Sequence, residues 1–229
     1  MITNWKATSN DFCRANKTTT AMKRIIAPCV LAGAFAFLTG FPPAYAEVTP
    51  AQTFVQQSVD KGIAILKDNS VTAQERNARF HTLLRSIIDF RRVAIFALGS
   101  YAHNASDQQI DRFVNAFGDY LMSMLQFGSD QSSAGPHIAV TGSTVRGSDD
   151  VLVTATVGGA DSAAATGAPM NISFRVRKNG EGHEMIVDIL VGGISVAVTQ
   201  RDELASYLQQ HGGSVEQLSA ELERRVAAK

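Results

Sequence analysis

The stretch 170–191, MNISFRVRKNGEGHEMIVDILV, decides the fold class. Its first half alternates, with Ile172, Phe174 and Val176 on one side and Asn171, Ser173, Arg175 and Arg177 on the other. A period of two marks a strand with one buried face. The segment Asn179-Gly180-Glu181-Gly182 follows, and Asn-Gly supplies the left-handed backbone that a tight hairpin turn demands. The second half is apolar more evenly. Strict alternation puts Met185, Val187, Ile189 and Val191 on one face, and Ile186 and Leu190 around Asp188 on the other, so both faces would need cover. Strands joined by so short a turn are antiparallel.

Working outward, two more strands are expected at 137–145 and 150–157, separated by Arg146-Gly147 and followed by a Gly- and Ala-rich turn over 158–167. The segment 126–136, dominated by Gly, Ser, Asp and Pro, separates them from a helical first half. There Thr49 is the expected cap of a helix with Pro50 at its first position, and Phe54, Val55, Val59, Ile63 and Leu66 recur on one face. The capping box Thr72-x-x-Glu75 opens a second helix. A third, 90–98, is apolar all round apart from Arg91 and Arg92 and stops at Gly99. Continuous apolarity in so short a helix implies cover on more than one side. A second box, Ser106-x-x-Gln109, leads into Ile110, Phe113, Val114, Phe117, Leu121, Met124 and Leu125. Past the strands come a helix at 201–210, a Gly212-Gly213 break and a last helix capped by Ser214. The order is α+β: an antiparallel meander of four strands, or slightly more, packed against N-terminal and C-terminal helices, with an apolar cavity between the layers.

The chain has 229 residues, 45% hydrophobic and 18% charged, and no net charge. Disorder is excluded by the apolar content, and nucleic-acid binding has no basic excess to carry it. The neutrality hides two unlike pieces. Residues 1–46 carry five Lys/Arg against one acid, and 47–229 carry 16 against 20. The first piece has the layout of a secretory signal: Lys23 and Arg24, the apolar stretch 25–38, Pro42 and Pro43, then Ala44, Tyr45 and Ala46. Cleavage is expected after Ala46, with Met22 as the expected initiator and residues 1–21 an extension or a long n-region. The apolar stretch falls short of the ~20 residues a membrane span needs. Residues 47–229 are then expected to be a single exported domain. Both cysteines, Cys13 and Cys29, lie in the leader, so the remainder has no thiol for a disulfide, a zinc site or a nucleophile.

Little else in the sequence points to bond-making chemistry. Of the histidines at 81, 103, 137, 183 and 211, no two stand three or four apart, and no metal site is expected. The run Gly193-Ile194-Ser195-Val196-Ala197 approaches a nucleophile elbow. That elbow belongs to a parallel sheet, with its acid and histidine on later loops. Here a meander precedes Ser195 and only His211 follows it. A strand end bending into a helix is the plainer reading, with a serine hydrolase using Ser195 as an alternative. Asp149-Asp150 sits at a turn, where solvation explains paired carboxylates.

Three strings carry a resemblance. They are FALGSY (96–101) with Ser106-Asp107-Gln108-Gln109, FVNAFGDYL (113–121), and VDILVGGISVAVTQRDEL (187–204), the last containing Asp188, Gly193, Ser195, Arg201 and Leu204. With them the chain resembles the MlaC, or toluene-tolerance, family of periplasmic phospholipid-binding proteins that serve an ABC-type lipid transporter, and their hopanoid-associated relatives. The resemblance implies a carrier and no enzyme. Its cargo, in place of a cofactor, would be phospholipid with the acyl chains in an apolar cavity. Its partners would be an inner-membrane ABC transporter complex with its substrate-binding membrane component and an outer-membrane lipoprotein complex, the pair that maintains outer-membrane lipid asymmetry. On that reading the lipid-binding residues are Phe96, Tyr101, Phe113, Phe117, Leu121, Met124, Leu125, Phe174, Val187, Ile189 and Val191. Arg201 is the candidate polar group at the mouth, with a structural ion pair to an acid as its alternative. A ligand-free periplasmic interaction module is the remaining alternative.

Overall fold

A computed structural model of the chain describes residues 48–124, 137–158 and 170–228. The expected leader, Leu125 and the expected turns over 126–136 and 158–167, except Gly158, lie outside the described residues.

Local capping sets where most helices begin. Helix α1 (Pro50–Leu66) starts at Thr49, whose hydroxyl accepts from the Gln52 amide at 3.1 Å. The same hydroxyl donates to Ser143 Oγ, which in turn donates to Gln52 Oε1, so the cap also fastens α1 to the sheet. Helix α2 (Ala73–Ile87) is capped by Thr72, but Glu75 turns away to Arg79 and leaves that box half formed. Asp89 caps α3 (Phe90–Leu98), which passes at Gly99 into a 3-10 turn, Gly99–Asn104. At α4 (Asp107–Met124) the box closes both ways: the Gln109 amide donates to Ser106 Oγ and the Ser106 amide to Gln109 Oε1.

The sheet is an antiparallel meander in the order β1-β2-β3-β4-β5. Its strands are β1 (His137–Gly147), β2 (Asp150–Gly158), β3 (Met170–Lys178), β4 (Glu184–Val191) and the two-residue β5 (Ile194–Ser195). The link from β4 to β5 is Gly192-Gly193, both with positive φ (57° and 85°), a turn that residues with a Cβ resist. Helix α5 (Val196–Gln210) begins at once after β5, five residues earlier than the sequence suggested, with Ser195 as its cap. Helix α6 (Val215–Ala227) is capped by Ser214, as its spacing to Gln217 predicts.

The register corrects the reading of β4. Ile186 stands opposite Val176, Asp188 opposite Arg175, Ile189 opposite Phe174 and Val191 opposite Ile172. Val187 is therefore the extra residue of a β-bulge. Directly opposed residues share a face. Ile186, Ile189 and Val191 thus face the same way as Val176, Phe174 and Ile172, while Met185, Asp188 and Leu190 share the side of Arg177, Arg175 and Ser173. The expected doubly apolar strand resolves into one apolar and one mixed face. Two further bulges interrupt β1, where Thr141 and Arg146 have no partner in the register with β2.

The apolar face meets α1 in one core, in which Ala51, Val55, Val153, Val176 and Ile186 are buried. A second core ties α3 to α6 together, with Leu98, Phe113, Leu204, Leu208, Leu218 and Leu222 almost fully enclosed. On the opposite side of the sheet, Asp150 receives a bidentate bond from Arg175 at 2.5–3.1 Å, so the turn carboxylate is paired and not merely solvated. That guanidinium holds the Asp150 carboxyl below its ordinary range. No helix among the described residues is long and apolar enough to cross a membrane.

Candidate functional site

Two apolar cavities lie between the sheet and the helices. The larger, about 410 Å³, takes Phe117, Leu121, Met122 and Met124 from α4 and Phe90 and Val93 from α3. The sheet contributes Ile172, Phe174, Ile186, Val187, Ile189 and Val191, and the start of α5 adds Val196, Ala197 and Gln200. The smaller, about 190 Å³, is held between α1 (Val55, Val59, Ile63), α2 (Phe80, Leu83, Leu84) and the sheet. Ile88, Phe174, Ile186 and Ile189 line both, so four side chains form the wall between them. Ile88 is fixed there by backbone pairing: it bridges Ile186 in parallel, and the Asp89 amide donates to the Ile186 carbonyl at 3.0 Å. At the rim of the larger cavity Met124, Val191 and Val196 are exposed.

The sequence-predicted residues divide. Phe117, Leu121, Met124, Phe174, Val187, Ile189 and Val191 come together around the larger cavity. Phe113 does not: it stacks on Phe117 at 5.4 Å but points into the core of the helical layer, fully buried. Tyr101 packs on the backbone of Gly213, where an added Cβ would stand 3.0 Å from its ring. Phe96 is outside, 41% exposed, with the Arg201 guanidinium 5.3 Å from its ring centroid. Arg201 also lies 3.5 Å from Asp202, in a cation–π and ion-pair contact, and is not among the residues that line the larger cavity. Leu125 lies outside the described residues.

Sequence reasoning missed the smaller cavity altogether, and Ile186, Val196, Ala197 and Gln200 in the larger. A signal existed for Phe90 and Val93, since the third helix is apolar nearly all round. For Ile186 the strict period of two misdirected the reading.

Polar groups at the larger cavity are few. Asp188 is engaged on both oxygens: Oδ1 accepts from the Ile189 amide at 2.8 Å and the Ala197 amide at 3.0 Å, and Oδ2 from Ser195 Oγ at 2.5 Å. Ser195 Oγ also accepts from the Val198 amide at 3.0 Å. Strand and helix start are thus clasped by one carboxylate at a helix N-terminus. The clasp leaves Ser195 badly placed as a nucleophile. His211 is at the opposite end of the 15-residue α5, roughly 22 Å away along the axis, stacked on Tyr207. Among the described residues no three His, Cys, Asp or Glu side chains converge as a metal site.

The architecture has a counterpart of known structure. A phospholipid-binding protein from Ralstonia solanacearum, solved in complex with a phospholipid, superposes with a TM-score of 0.66 at 22% identity, covering 79% of this chain and 98% of that one. The likeness shows the fold, which among the described residues has six α-helices and a five-stranded antiparallel sheet. Comparison with curated proteins finds no match. The family model described as MlaC protein matches residues 56–224, from α1 to α6, and the chain belongs to the MlaC family.

Proposed function

We propose that this protein is a periplasmic lipid carrier that holds phospholipid acyl chains in the cavity between sheet and helices. It would pass lipid between an outer-membrane lipoprotein complex and an inner-membrane ABC transporter complex with its membrane-anchored substrate-binding component. The observation that carries the reading is the larger cavity itself, about 410 Å³ walled almost entirely by hydrocarbon side chains. Ligand sites occupy roughly 300–1,000 Å³. Space lined this way is expensive to leave unfilled. Acyl chains would fill it at a gain of ~0.8 kcal/mol for each methylene taken out of water. The smaller cavity, behind the shared wall, extends the room for them. Membership of the MlaC family and the phospholipid held by the Ralstonia protein support the same cargo. No bond is made or broken in this role. Opening and closing of the mouth would govern uptake and release.

Native mass spectrometry of the purified protein, followed by lipid extraction, tests the reading. Adducts of phospholipid mass near one-to-one are expected. A bare protein mass that stays unchanged after incubation with liposomes would overturn it in favour of a ligand-free interaction module.

A further inference from the structure

Among the described residues, Gln200 is the one buried polar side chain left without a hydrogen-bond partner at the cavity. It is 6% exposed and lines the larger cavity, and its Oε1 is enclosed without a hydrogen-bond partner. Asp188, the other polar side chain there with acceptor oxygens, already has both of them bonded. A buried acceptor left unpaired is costly, and it persists in a stable fold when something else completes it. The position says what that is. Gln200 follows Val196 by four residues on α5 and so lies on the same face, about 6 Å further along the axis. Val196 is at the exposed rim, which puts Gln200 one turn inside the mouth. A lipid whose chains fill the apolar walls would carry its polar end toward the mouth, within reach of that turn of α5. An acceptor calls for a donor, and the broad terminal torsion of the amide lets the oxygen swing toward the cavity.

We propose that Gln200 is a specificity-determining residue whose Oε1 accepts a hydrogen bond from a donor-bearing lipid. The donor is a headgroup hydroxyl or ammonium, or the free glycerol hydroxyl of a monoacyl lipid. The proposal rests on the lipid-carrier reading and adds the feature that the cargo must possess. Lipids without a donor still fill the apolar walls but leave the amide oxygen unpaired.

The test compares the wild-type chain with Gln200→Leu, which keeps the bulk and removes the amide. Each is stripped of lipid and offered, at equal concentration in separate detergent micelles, dioleoyl phosphatidylglycerol, dioleoyl phosphatidylethanolamine, dioleoyl phosphatidylcholine or mono-oleoyl lysophosphatidylcholine, and bound lipid is read by native mass spectrometry. Phosphatidylcholine has no donor. The expected ratio of wild-type to variant occupancy is near one for it and roughly threefold to tenfold for a donor lipid. An excess for phosphatidylglycerol or phosphatidylethanolamine places the donor in the headgroup, and one for the monoacyl lipid alone places it on the glycerol. An equal loss with all four lipids, or no loss with any, overturns the proposal while leaving the carrier reading intact. Failure of the wild type to take up any lipid removes both. Because the substitution deletes an unpaired buried polar group, the lipid-free variant should melt at or above the wild-type temperature. Should it fail to fold, Gln200→Met preserves side-chain length and serves in its place.

Discussion

Replacing Ser195 with Ala tests the clasp and the serine-hydrolase alternative in one variant. The substitution removes one oxygen with two jobs: it caps α5 through the Val198 amide and donates to Asp188 Oδ2 at 2.5 Å. Loss of a serine cap costs typically ~1 kcal/mol. Taking a hydroxyl from a carboxylate costs about 1.5–3 kcal/mol in a buried setting and less here, where the group is partly solvated and Asp188 keeps two backbone amides. The combined expectation is about 2 kcal/mol. For a domain of this size each kcal/mol moves Tm by about 2–4 °C, so Ser195→Ala should melt about 4–8 °C below wild type by circular dichroism. Turnover of a p-nitrophenyl ester should be the same low background for both proteins. The partner substitution Asp188→Asn completes a double-mutant cycle, in which a coupling of about 1 kcal/mol or more is expected from two groups in one network. A melting temperature within a degree of wild type, or additive single effects, would refute the clasp. Esterase activity abolished in a variant of unchanged Tm would restore Ser195 as a nucleophile.

The Asp150–Arg175 pair makes a signed prediction about acid stability. Because the guanidinium lowers the folded-state pKa of Asp150 below its ordinary 3.8, the pair contributes fully above that ordinary value. Its contribution disappears as pH falls through the lowered one. Asp150→Asn should cost about 1 kcal/mol at pH 7 and show a flatter loss of stability below pH 4, read from urea melts between pH 7 and 2.5. A parallel acid profile for both proteins would count against the pairing. At the cavity, Leu121→Trp should fill space that cargo would use and lower lipid occupancy severalfold in native mass spectra, with the far-ultraviolet spectrum unchanged. Full occupancy in that variant would remove α4 from the cavity wall.

What could be read from the sequence was local. Thr49, Thr72, Ser106 and Ser214 were legible as caps because each acts on the amide three residues on. Strand β3 was legible because its alternation is complete. The start of α5 was hidden by Val196, Val198 and Thr199, β-branched residues that favour strands. A carboxylate seven residues upstream of the cap holds that end in place, and no local pattern records it. The bulge at Val187 escaped because a strict period of two has no place for an extra residue. The four-residue spacing of Phe113 and Phe117 put both on one helical stripe, but it could not say that α6 covers α4 at one level and the cavity opens at the next. Phe96 and Arg201 explain each other on the surface, a contact between α3 and α5 that no sequence spacing reveals.

The bulges in β1 bear on how copies of this protein treat one another. Strand β4 spends its far edge on β5 at one end and on the Ile88 bridge at the other. Among the described residues this leaves the 11-residue β1 with the long unpaired edge. A straight edge of that length is a template on which a second chain can add a strand and begin aggregation. Thr141 and Arg146 each insert a residue that twists the edge and breaks its run of evenly spaced amides and carbonyls. The irregularities that spoil the register of β1 with β2 thus also spoil it for an incoming strand. They keep a protein built around an open sheet and a greasy interior from polymerising through its border.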